Sequence, residues 1–227
     1  MSPRPYNLGK RQGPIEAARQ QVLDAARGLL GGTDRYTAFT VDAVARQADV
    51  ARATVYYQFG SKAGLLEALC DYLAELGGMS GLAEAFTEPD PRQALRRFVA
   101  CFGQFWAADR PAMRRLRALA LLDPDVGAVI TARDQRRHQG LTVLAGRLAG
   151  TSLAGTSLTG TSMTGTSMTG ISMTGISMTG AEADRAVRVL VTLTSFETFD
   201  TLAGPDRDIT AAGPDIVRLC EVALRPD

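Results

Sequence analysis

The stretch ARATVYYQFGSK, residues 51–62, decides how the N-terminal part of this chain folds. It favours a short helix that breaks at Gly60, after which Ser61 can cap the next helix. Val55 lies one helical turn after Ala51 and so shares a face with it. Both residues can therefore pack against apolar positions of the preceding segment, residues 41–48. Successive helical residues are about 100° apart, so Tyr57 then lies on the opposite, outer face. The stretch therefore predicts a helix that displays aromatic and basic side chains.

Another short helix is predicted just before this one, over residues 41–48. Thr40 is a suitable N-cap for it, and Val44 and Ala48 occupy inward positions. A tight turn at residues 49–50 joins the two helices. Two short helices joined in this way, the second presenting Arg, Thr and Tyr, are typical of a helix-turn-helix whose second helix enters the major groove of DNA.

The displayed side chains suit a nucleic-acid duplex. Arg52 can donate two hydrogen bonds to guanine O6 and N7, while Thr54 and the two tyrosines can reach phosphate oxygens or the thymine methyl. Ala53 is small enough to let the helix backbone come close. Ser61 and Lys62, at the start of the next helix, offer free backbone N–H groups and an ammonium to a phosphate. Any one of these residues alone is more common in a core, an interface or a solvated surface, and only their ordered combination favours DNA.

The longer stretch TVDAVARQADVARATVYYQFGSKAGLLEAL, residues 40–69, resembles the DNA-binding signature of the tetracycline-repressor (TetR) family of bacterial regulators. The detailed resemblance covers residues 15–76. Asp49 stands where the family usually has a turn glycine, and an aspartate tolerates a left-handed conformation at modest cost. Gln58 replaces a frequent histidine and keeps a hydrogen-bond donor. The resemblance implies DNA contacts by Thr40, Arg52, Ala53, Thr54, Tyr56, Tyr57, Gln58 and Lys62.

Charge and composition add little about partners but favour a cytoplasmic protein. The 227-residue chain has a net charge of +1, although residues 1–70 carry nine Lys/Arg against six Asp/Glu. Its three cysteines form no CxxC pair, so neither a disulfide framework nor a zinc site is indicated. No apolar run has the length of a signal peptide or a membrane span. We expect no cofactor, no metal and no membrane association.

The pattern along the chain predicts an all-α protein, since no segment shows convincing period-2 alternation. Residues 1–14 have the composition of a disordered basic arm, and 15–76 form the helix-turn-helix domain with its connecting helix. The remainder, 77–227, is predicted to form a larger helical domain. Its helices are bounded by prolines and glycines and are expected at 90–109, 111–122, 124–149, 182–203 and 214–225.

Residues 151–180 consist of six five-residue units running from TSLAG to ISMTG. An apolar residue at every fifth position forms no stripe on a helix and alternates between the faces of a strand. With a glycine in every unit, a low-complexity loop is the favoured interpretation. The alternative is a short β-solenoid, because the units loosely resemble pentapeptide repeats with Leu or Met at the centre.

The TetR resemblance implies that the larger domain binds a ligand and forms a dimer. Apolar stripes on two helices are candidates for the pocket lining, although such stripes are usually plain core: Phe98, Phe102, Phe105, Trp106, Met113, Leu116 and Leu119. Stripes on the last two helices are candidates for the dimer interface: Val187, Leu190, Val191, Thr194, Thr198, Ile216, Leu219 and Ala223. Six arginines are expected on solvated faces, the alternative being that one turns inward and pairs with an acidic ligand: Arg114, Arg115, Arg117, Arg133, Arg136 and Arg137.

The favoured hypothesis is a homodimeric, ligand-responsive repressor that binds a palindromic DNA operator and is released by a small-molecule effector. A helical adaptor whose tyrosines bind protein is one alternative. A small helical enzyme is another, but the sequence carries no G-x-S-x-G, H-E-x-x-H, P-loop or dinucleotide fingerprint. Its one histidine, His138, leaves little for acid–base catalysis or a metal effector.

Overall fold

The computed structural model describes residues 9–32, 39–148 and 181–224. Every regular element in these ranges is helical, which confirms the predicted all-α class. The chain divides into two compact units, Met1–Leu69 and Cys70–Asp227, with the division falling inside one helix. The sequence pattern places that division after residue 76, at the end of the same helix. The repeats at 151–180 and the first part of the predicted arm lie outside the described residues.

The N-terminal unit contains three helices and the beginning of a fourth: α1 (Gly9–Gly31), α2 (Val41–Gln47), α3 (Arg52–Phe59) and α4 (Lys62–Leu76). Its core is formed by buried apolar side chains from all four helices, and α1 packs on α2 and α2 on α3. The fully enclosed members are Val22, Ala26, Leu30, Val44, Val55, Leu65, Leu66 and Leu69. The core leaves one side of each short helix outside, and this positions the candidate site.

Local sequence explains where the short helices begin and end. The Thr40 side chain accepts a hydrogen bond from the Ala43 N–H at 3.1 Å and caps α2. Gly60 ends α3 with φ +74, a conformation that favours glycine. The Ser61 hydroxyl then accepts from the Gly64 N–H at 3.0 Å, which satisfies a free donor at the start of α4. The predicted cap, break and restart are therefore all present.

The second unit holds the rest of α4 and seven further α-helices: α5 (Leu82–Thr87), α6 (Pro91–Ala108), α7 (Arg110–Ala120), α8 (Pro124–Leu148), α9 (Ala181–Leu193), α10 (Phe196–Ala203) and α11 (Gly213–Ala223). Short 3-10 helices precede α5, at Met79–Gly81, and α11, at Ile209–Ala212. Helix α6 packs against α5, α8 and α11, while α9 packs against α8 and α11. The unit is thus organised around α6 and α8.

Three element boundaries differ from the prediction. Helix α1 begins at Gly9, inside the range predicted as an arm, because Lys, Arg and Gln at 10–12 are good helix formers whose effect outweighs the flanking breakers. The helix expected over 182–203 is two helices, since Ser195 caps α10 by accepting from the Thr198 N–H at 3.3 Å. Helix α5 has only six residues, too few for a periodic pattern to reveal it.

Candidate nucleic-acid interface

The turn between α2 and α3 has the geometry that its sequence predicts. Asp49 has φ +50, which makes it the one non-glycine residue of the described chain with a positive φ. Its N–H donates to the Arg46 carbonyl at 3.2 Å, and the Val50 N–H donates to the Ala45 carbonyl at 3.0 Å. A left-handed residue at this point reverses the chain sharply, and aspartate adopts the conformation at a cost that glycine would not incur.

Helix α3 is oriented by a single buried residue. Val55 is only 1% exposed, whereas Tyr57 on the opposite face is 83% exposed and Tyr56 beside it is 39% exposed. Arg52 and Ala53 are also exposed, and Thr54 is half-buried. The inward position of Val55 therefore produces the outward display of arginine and phenols that the sequence predicts.

Contacts with α1 hold the end of α3 in place. The Gln58 side chain donates to the Ile15 carbonyl at 3.2 Å, and the Gln58 carbonyl accepts from Arg19 at 3.4 Å. The Arg19 guanidinium also stacks on the Phe59 ring, 4.6 Å from its centroid. Gln58 is one of the predicted DNA contacts, but here its amide is engaged with α1. Helical spacing within α3 places Gln58 beside the exposed tyrosines and so suggests a DNA contact. Its contact with α1 becomes visible only in the folded structure.

Arg52 is held by two neighbours on the outer surface. Its Nη1 lies 3.2 Å from the Asp42 carboxylate, and its Nη2 donates to the Tyr56 hydroxyl at 3.2 Å. The hydrogen bond with Tyr56 and the charge of Asp42 raise the pKa of Arg52 above its usual value, so the guanidinium is fully charged. The sequence analysis did not identify Asp42 as a partner of Arg52. Its position in the first turn of α2 is the one signal in the sequence that could have indicated this pairing.

The two remaining predicted contacts lie at helix starts. Thr40 is exposed at the N-terminus of α2, where its hydroxyl already accepts from the Ala43 N–H. Lys62 is the first residue of α4 and is half-buried. N-terminal helix ends carry partial positive charge and favour anions. The candidate interface thus combines the outer face of α3 with the first turns of α2 and α4.

In the second unit, the residues predicted to line a pocket form a packed aromatic cluster. The Phe98 and Phe102 ring centroids are 4.7 Å apart, those of Phe102 and Trp106 are 5.7 Å apart, and Trp106 also meets Phe196 at 5.6 Å. Phe98, Phe102, Trp106, Met113 and Leu116 are buried, while Phe105 and Leu119 are half-buried. The Trp106 Nε1–H has no acceptor among the described residues. Most of this set is therefore packed inside the second unit, and a role in lining a pocket stays a prediction.

An open cleft of about 510 Å³ lies instead between α7, α8 and α10. Its walls carry two arginines and three carboxylates, with Phe196 linking it to the aromatic cluster. None of the residues predicted to line the pocket lies on it. The apolar periodicity of α6 and α7 could not indicate this cleft, because its walls come from three helices and mix charged with apolar side chains.

The charges around this cleft are paired. Arg117 binds Asp134 at 2.9 Å and Glu197 at 2.7 Å, and Asp200 accepts from Arg114 at 2.9 Å. Burial alone raises the pKa of Asp200, but its hydrogen bonds from Arg114 and Arg110 outweigh this and leave the pKa below its usual value. The prediction that the arginines form solvated faces is therefore wrong for Arg117, because it is mostly buried between its two carboxylates.

Arg137 is also a correction to that prediction. It is 7% exposed and donates to the Val191 carbonyl at 2.7 Å and to the Thr194 hydroxyl at 2.8 Å. Burial lowers the pKa of its guanidinium, but Asp134 at 3.6 Å compensates part of the charge. A buried arginine needs such partners, and the sequence of α8 alone does not show that Val191 of α9 and Thr194, just after α9, supply them.

The residues predicted for the dimer interface fall into two groups. Val187, Leu190, Thr194 and Ile216 are buried inside their own unit, so they cannot also face a second chain. Val191, Thr198 and Ala223 are half-buried, and Leu219 is 43% exposed. The stripes on α9 and α11 are thus mainly the contact of these helices with their own unit. Leu219 and its exposed neighbour Val222 are what remains of an outer apolar face.

Two further findings concern metal ions and membranes. No group of three or more His, Cys, Asp or Glu side chains among them is placed to hold a metal ion. None of the helices in these ranges is long and apolar enough to cross a membrane.

Family comparisons match two parts of the sequence. Residues 22–69 match the model for bacterial regulatory proteins of the tetR family, and 147–180 match the model for pentapeptide repeats in eight copies. The first match begins within α1 and includes all of α2 and α3, while the second falls almost entirely on residues outside the described part of the chain. Loop and β-solenoid therefore both remain predictions for the repeats. No curated protein matches the chain.

Solved structures share the fold over most of the chain. A TetR-like transcriptional regulator from Rhodococcus sp. RHA1 is 23% identical, with 90% of this chain and 93% of that chain covered at a TM-score of 0.52. PfmR, a TetR family regulator from Thermus thermophilus, is 16% identical (92% and 95% covered, TM-score 0.52). FadR from Bacillus subtilis, solved in complex with stearoyl-CoA, is 16% identical (88% and 96% covered, TM-score 0.53). Residues 22–69 are therefore a segment of the tetR-family type, with a helix-turn-helix built as its sequence predicts, in a chain that shares the fold of these solved TetR-like regulators.

Proposed function

We propose that this protein is a ligand-responsive repressor that binds a palindromic DNA operator as a homodimer. The observation that carries the proposal is the division of α3 into a buried side and a displayed side. Val55 is 1% exposed and Tyr57 is 83% exposed, so the helix presents an arginine, a threonine and two phenols to a groove. A surface with these groups in a helix-turn-helix supports DNA binding better than any other role.

Contacts with DNA are proposed to divide between base edges and backbone. Arg52 reads a guanine through two N–H donors, and Tyr57, the most exposed large side chain of α3, reaches a phosphate or a thymine methyl. Thr40 and Lys62 bind phosphates at the starts of α2 and α4, where the helix dipoles add to the attraction. Gln58 contributes indirectly, because its hydrogen bond to the Ile15 carbonyl fixes the end of α3.

Dimerisation is proposed through the outer side of α11, with Leu219 and Val222 at its centre. These two residues are 43% and 55% exposed, and an apolar pair at i, i+3 on a helix is suited to helix pairing. A two-fold axis would set two copies of α3 about 34 Å apart, one turn of the duplex, and so select a near-palindromic operator.

Effector binding is proposed for the second unit, beside the aromatic cluster. The FadR neighbour was solved in complex with stearoyl-CoA, which makes that compound the first effector to assay. Trp106 is the only tryptophan of the chain, so its emission reports on ligands that reach the cluster. A ligand with different affinity for the DNA-bound and free arrangements of the dimer would shift their populations and release the operator.

Titration of duplex DNA tests the central proposal. Binding of wild-type protein to duplexes enriched from a randomised library is followed by fluorescence anisotropy at several salt concentrations. The logarithm of the binding constant is expected to fall steeply with the logarithm of salt, by a slope of about 0.9 for each phosphate contact. Arg52→Ala combined with Tyr57→Ala is expected to weaken binding at least tenfold, since a good base contact alone contributes about 1–3 kcal/mol.

Arg97→Ala is the matched control for this experiment. It removes an exposed cation whose side chain is 51% accessible, but from the second unit, where it pairs with Glu84 and Glu88. It should leave the binding constant and its salt slope unchanged. Salt-independent binding, or a double variant that binds like wild type, contradicts the proposal and favours a helical adaptor or an enzyme.

A further inference from the structure

We propose that Asp42 is a positioning residue that determines base specificity by holding the Arg52 guanidinium in the orientation that reads a guanine. This inference rests on the proposed function, because it requires α3 to lie in the major groove. Asp42 is absent from the predicted set of contacts, and a carboxylate has the wrong sign of charge to bind a phosphate. Its contribution therefore lies in what it does to Arg52.

The carboxylate and the guanidinium meet across the turn of the helix-turn-helix. Asp42 is the second residue of α2, and Arg52 is the first residue of α3. Nη1 of Arg52 lies 3.2 Å from both carboxylate oxygens, and the two side chains are 59% and 56% exposed. An ion pair this exposed adds little to the stability of a fold. Its position on the DNA-facing surface gives a better account of the pair than stabilisation does.

Tyr56 holds the other end of the same guanidinium. Its hydroxyl accepts from Nη2 at 3.2 Å, and its ring centroid is 5.3 Å from the guanidinium carbon. Two anchors on different nitrogens fix the plane of the group, whereas one anchor would leave it free to turn. A guanidinium has five N–H donors, and the Nε–H of Arg52 has no partner among the described residues. Donors therefore remain for guanine O6 and N7 on a side chain that is already ordered.

The charge of Asp42 makes the inference distinguishable from a structural role. The carboxylate repels nearby phosphates and so weakens sequence-independent binding, while its grip on Arg52 strengthens discrimination between bases. Removal of the charge is then expected to change the two kinds of binding in opposite directions. Loss of a merely structural contact would weaken both.

The experiment uses the full chain as wild type, Asp42→Asn and Asp42→Glu. Duplexes are selected from a randomised library and sequenced, and poly(dI-dC) is the probe of sequence-independent binding. The base pair read by Arg52 is identified as the position whose preference disappears in Arg52→Ala. Asp42→Asn is expected to lose about tenfold of the preference for guanine at that same position, while it binds poly(dI-dC) at least as tightly as wild type. Asp42→Glu is expected to restore part of the preference.

A double-variant cycle completes the test. In the Arg52→Ala background, Asp42→Asn should cause no further loss of specificity, because the residue acts through the arginine. Glu84→Gln is the matched control, since Glu84 lies in the first turn of α5 and pairs with Arg97 at 3.2 Å in the other unit. It should leave both specificity and poly(dI-dC) binding unchanged.

Three outcomes overturn the inference. Altered preference at a position other than the one read by Arg52 means that Asp42 contacts a base itself, for example cytosine N4. Weaker binding to both probes means a structural role, and an unchanged preference means no role. All three leave the proposed function standing, because wild type still selects a motif that Arg52→Ala loses. If wild type selects no sequence at all and ignores salt, the proposed function fails and the inference fails with it.

Discussion

An apolar stripe predicts exposure correctly for helix α3 but not for helices α9 and α11. In α3, one buried residue, Val55, fixes which side chains face out, and Tyr57 is 83% exposed as a result. In α9 and α11, the apolar stripe predicted to face a second chain includes Leu190 and Ile216, both 0% exposed within their own unit. The periodicity marks a buried face in both places. Only in α3 does it also show correctly which side chains are left exposed.

The number of neighbours explains this difference. Helix α3 has eight residues and packs mainly on α2, with further contacts from its end to α1 and to the start of α4, and its outer side chains stay exposed. Helix α9 packs against both α8 and α11, and an apolar stripe there has several possible partners. A stripe specifies that a face is buried, and it specifies the partner only where the helix has one.

The largest expected effect comes from separating core from interface in the second unit. Leu190→Ala should lower the free energy of unfolding by about 2–5 kcal/mol, because it opens a cavity in a fully buried site. Leu219→Ala removes the same atoms from a side chain that is 43% exposed, so it should lower monomer stability by less than about 1 kcal/mol while it weakens the dimer. Urea unfolding and sedimentation velocity at several protein concentrations measure the two effects.

Two outcomes would contradict the assignment of Leu190 to the core and of Leu219 to the dimer interface. If Leu190→Ala dissociated the dimer without destabilising the subunit, the stripe on α9 would face a second chain after all. If Leu219→Ala left the association state unchanged, the outer side of α11 would not be the interface.

A close approach in the helix-turn-helix unit gives the next largest effect. A Cβ added at Gly64 would collide with the Phe59 carbonyl oxygen, which is backbone and cannot move aside cheaply. Gly64→Ala should therefore destabilise the junction of α3 and α4 by about 1–3 kcal/mol and weaken DNA binding with it. Gly28→Ala is the control, since nothing lies within 4 Å of the added Cβ, and it should stabilise α1 by about 0.5–1 kcal/mol. Thermal unfolding followed by ellipticity distinguishes the two, and equal effects would contradict the steric account.

The helices of the candidate interface could be predicted from the sequence largely because they depend on local interactions. The Thr40 cap, the turn at Asp49 and the break at Gly60 each depend on residues within a few positions of one another, and local rules describe such features well. The hydrogen bond from Gln58 to the Ile15 carbonyl joins residues 43 positions apart. No periodicity within α3 carries that information.

Long-range pairing of charges is equally hidden from the sequence in the second unit. Arg117 and Glu197 are 80 positions apart, and Arg137 and Thr194 are 57 apart. The pattern of α8 marks Arg137 as polar and therefore favours an exposed position, but the acceptors at the end of α9 and just after it make burial possible. Arg117 and Glu197 lie on the cleft between α7, α8 and α10, whose walls are far apart in the sequence, so apolar stripes could not indicate its position.

The smallest expected effect tests the one strained residue in the turn. Asp49 has φ +50, and a left-handed conformation costs a non-glycine residue about 1–2 kcal/mol, less for aspartate and asparagine. Asp49→Gly removes that cost but gains flexibility in the unfolded chain, so a net stabilisation of about 0.5–1 kcal/mol is expected. Asp49→Ala should destabilise the unit instead. Asp49→Asn keeps the tolerance of the left-handed region while it removes the charge, so DNA affinities of the Gly and Asn variants should agree even though their stabilities differ. If Asp49→Gly and Asp49→Ala changed the unfolding temperature in the same direction, backbone strain at residue 49 would not explain the stability of this turn. The preference for a residue that tolerates a positive φ would then not account for the turn before α3.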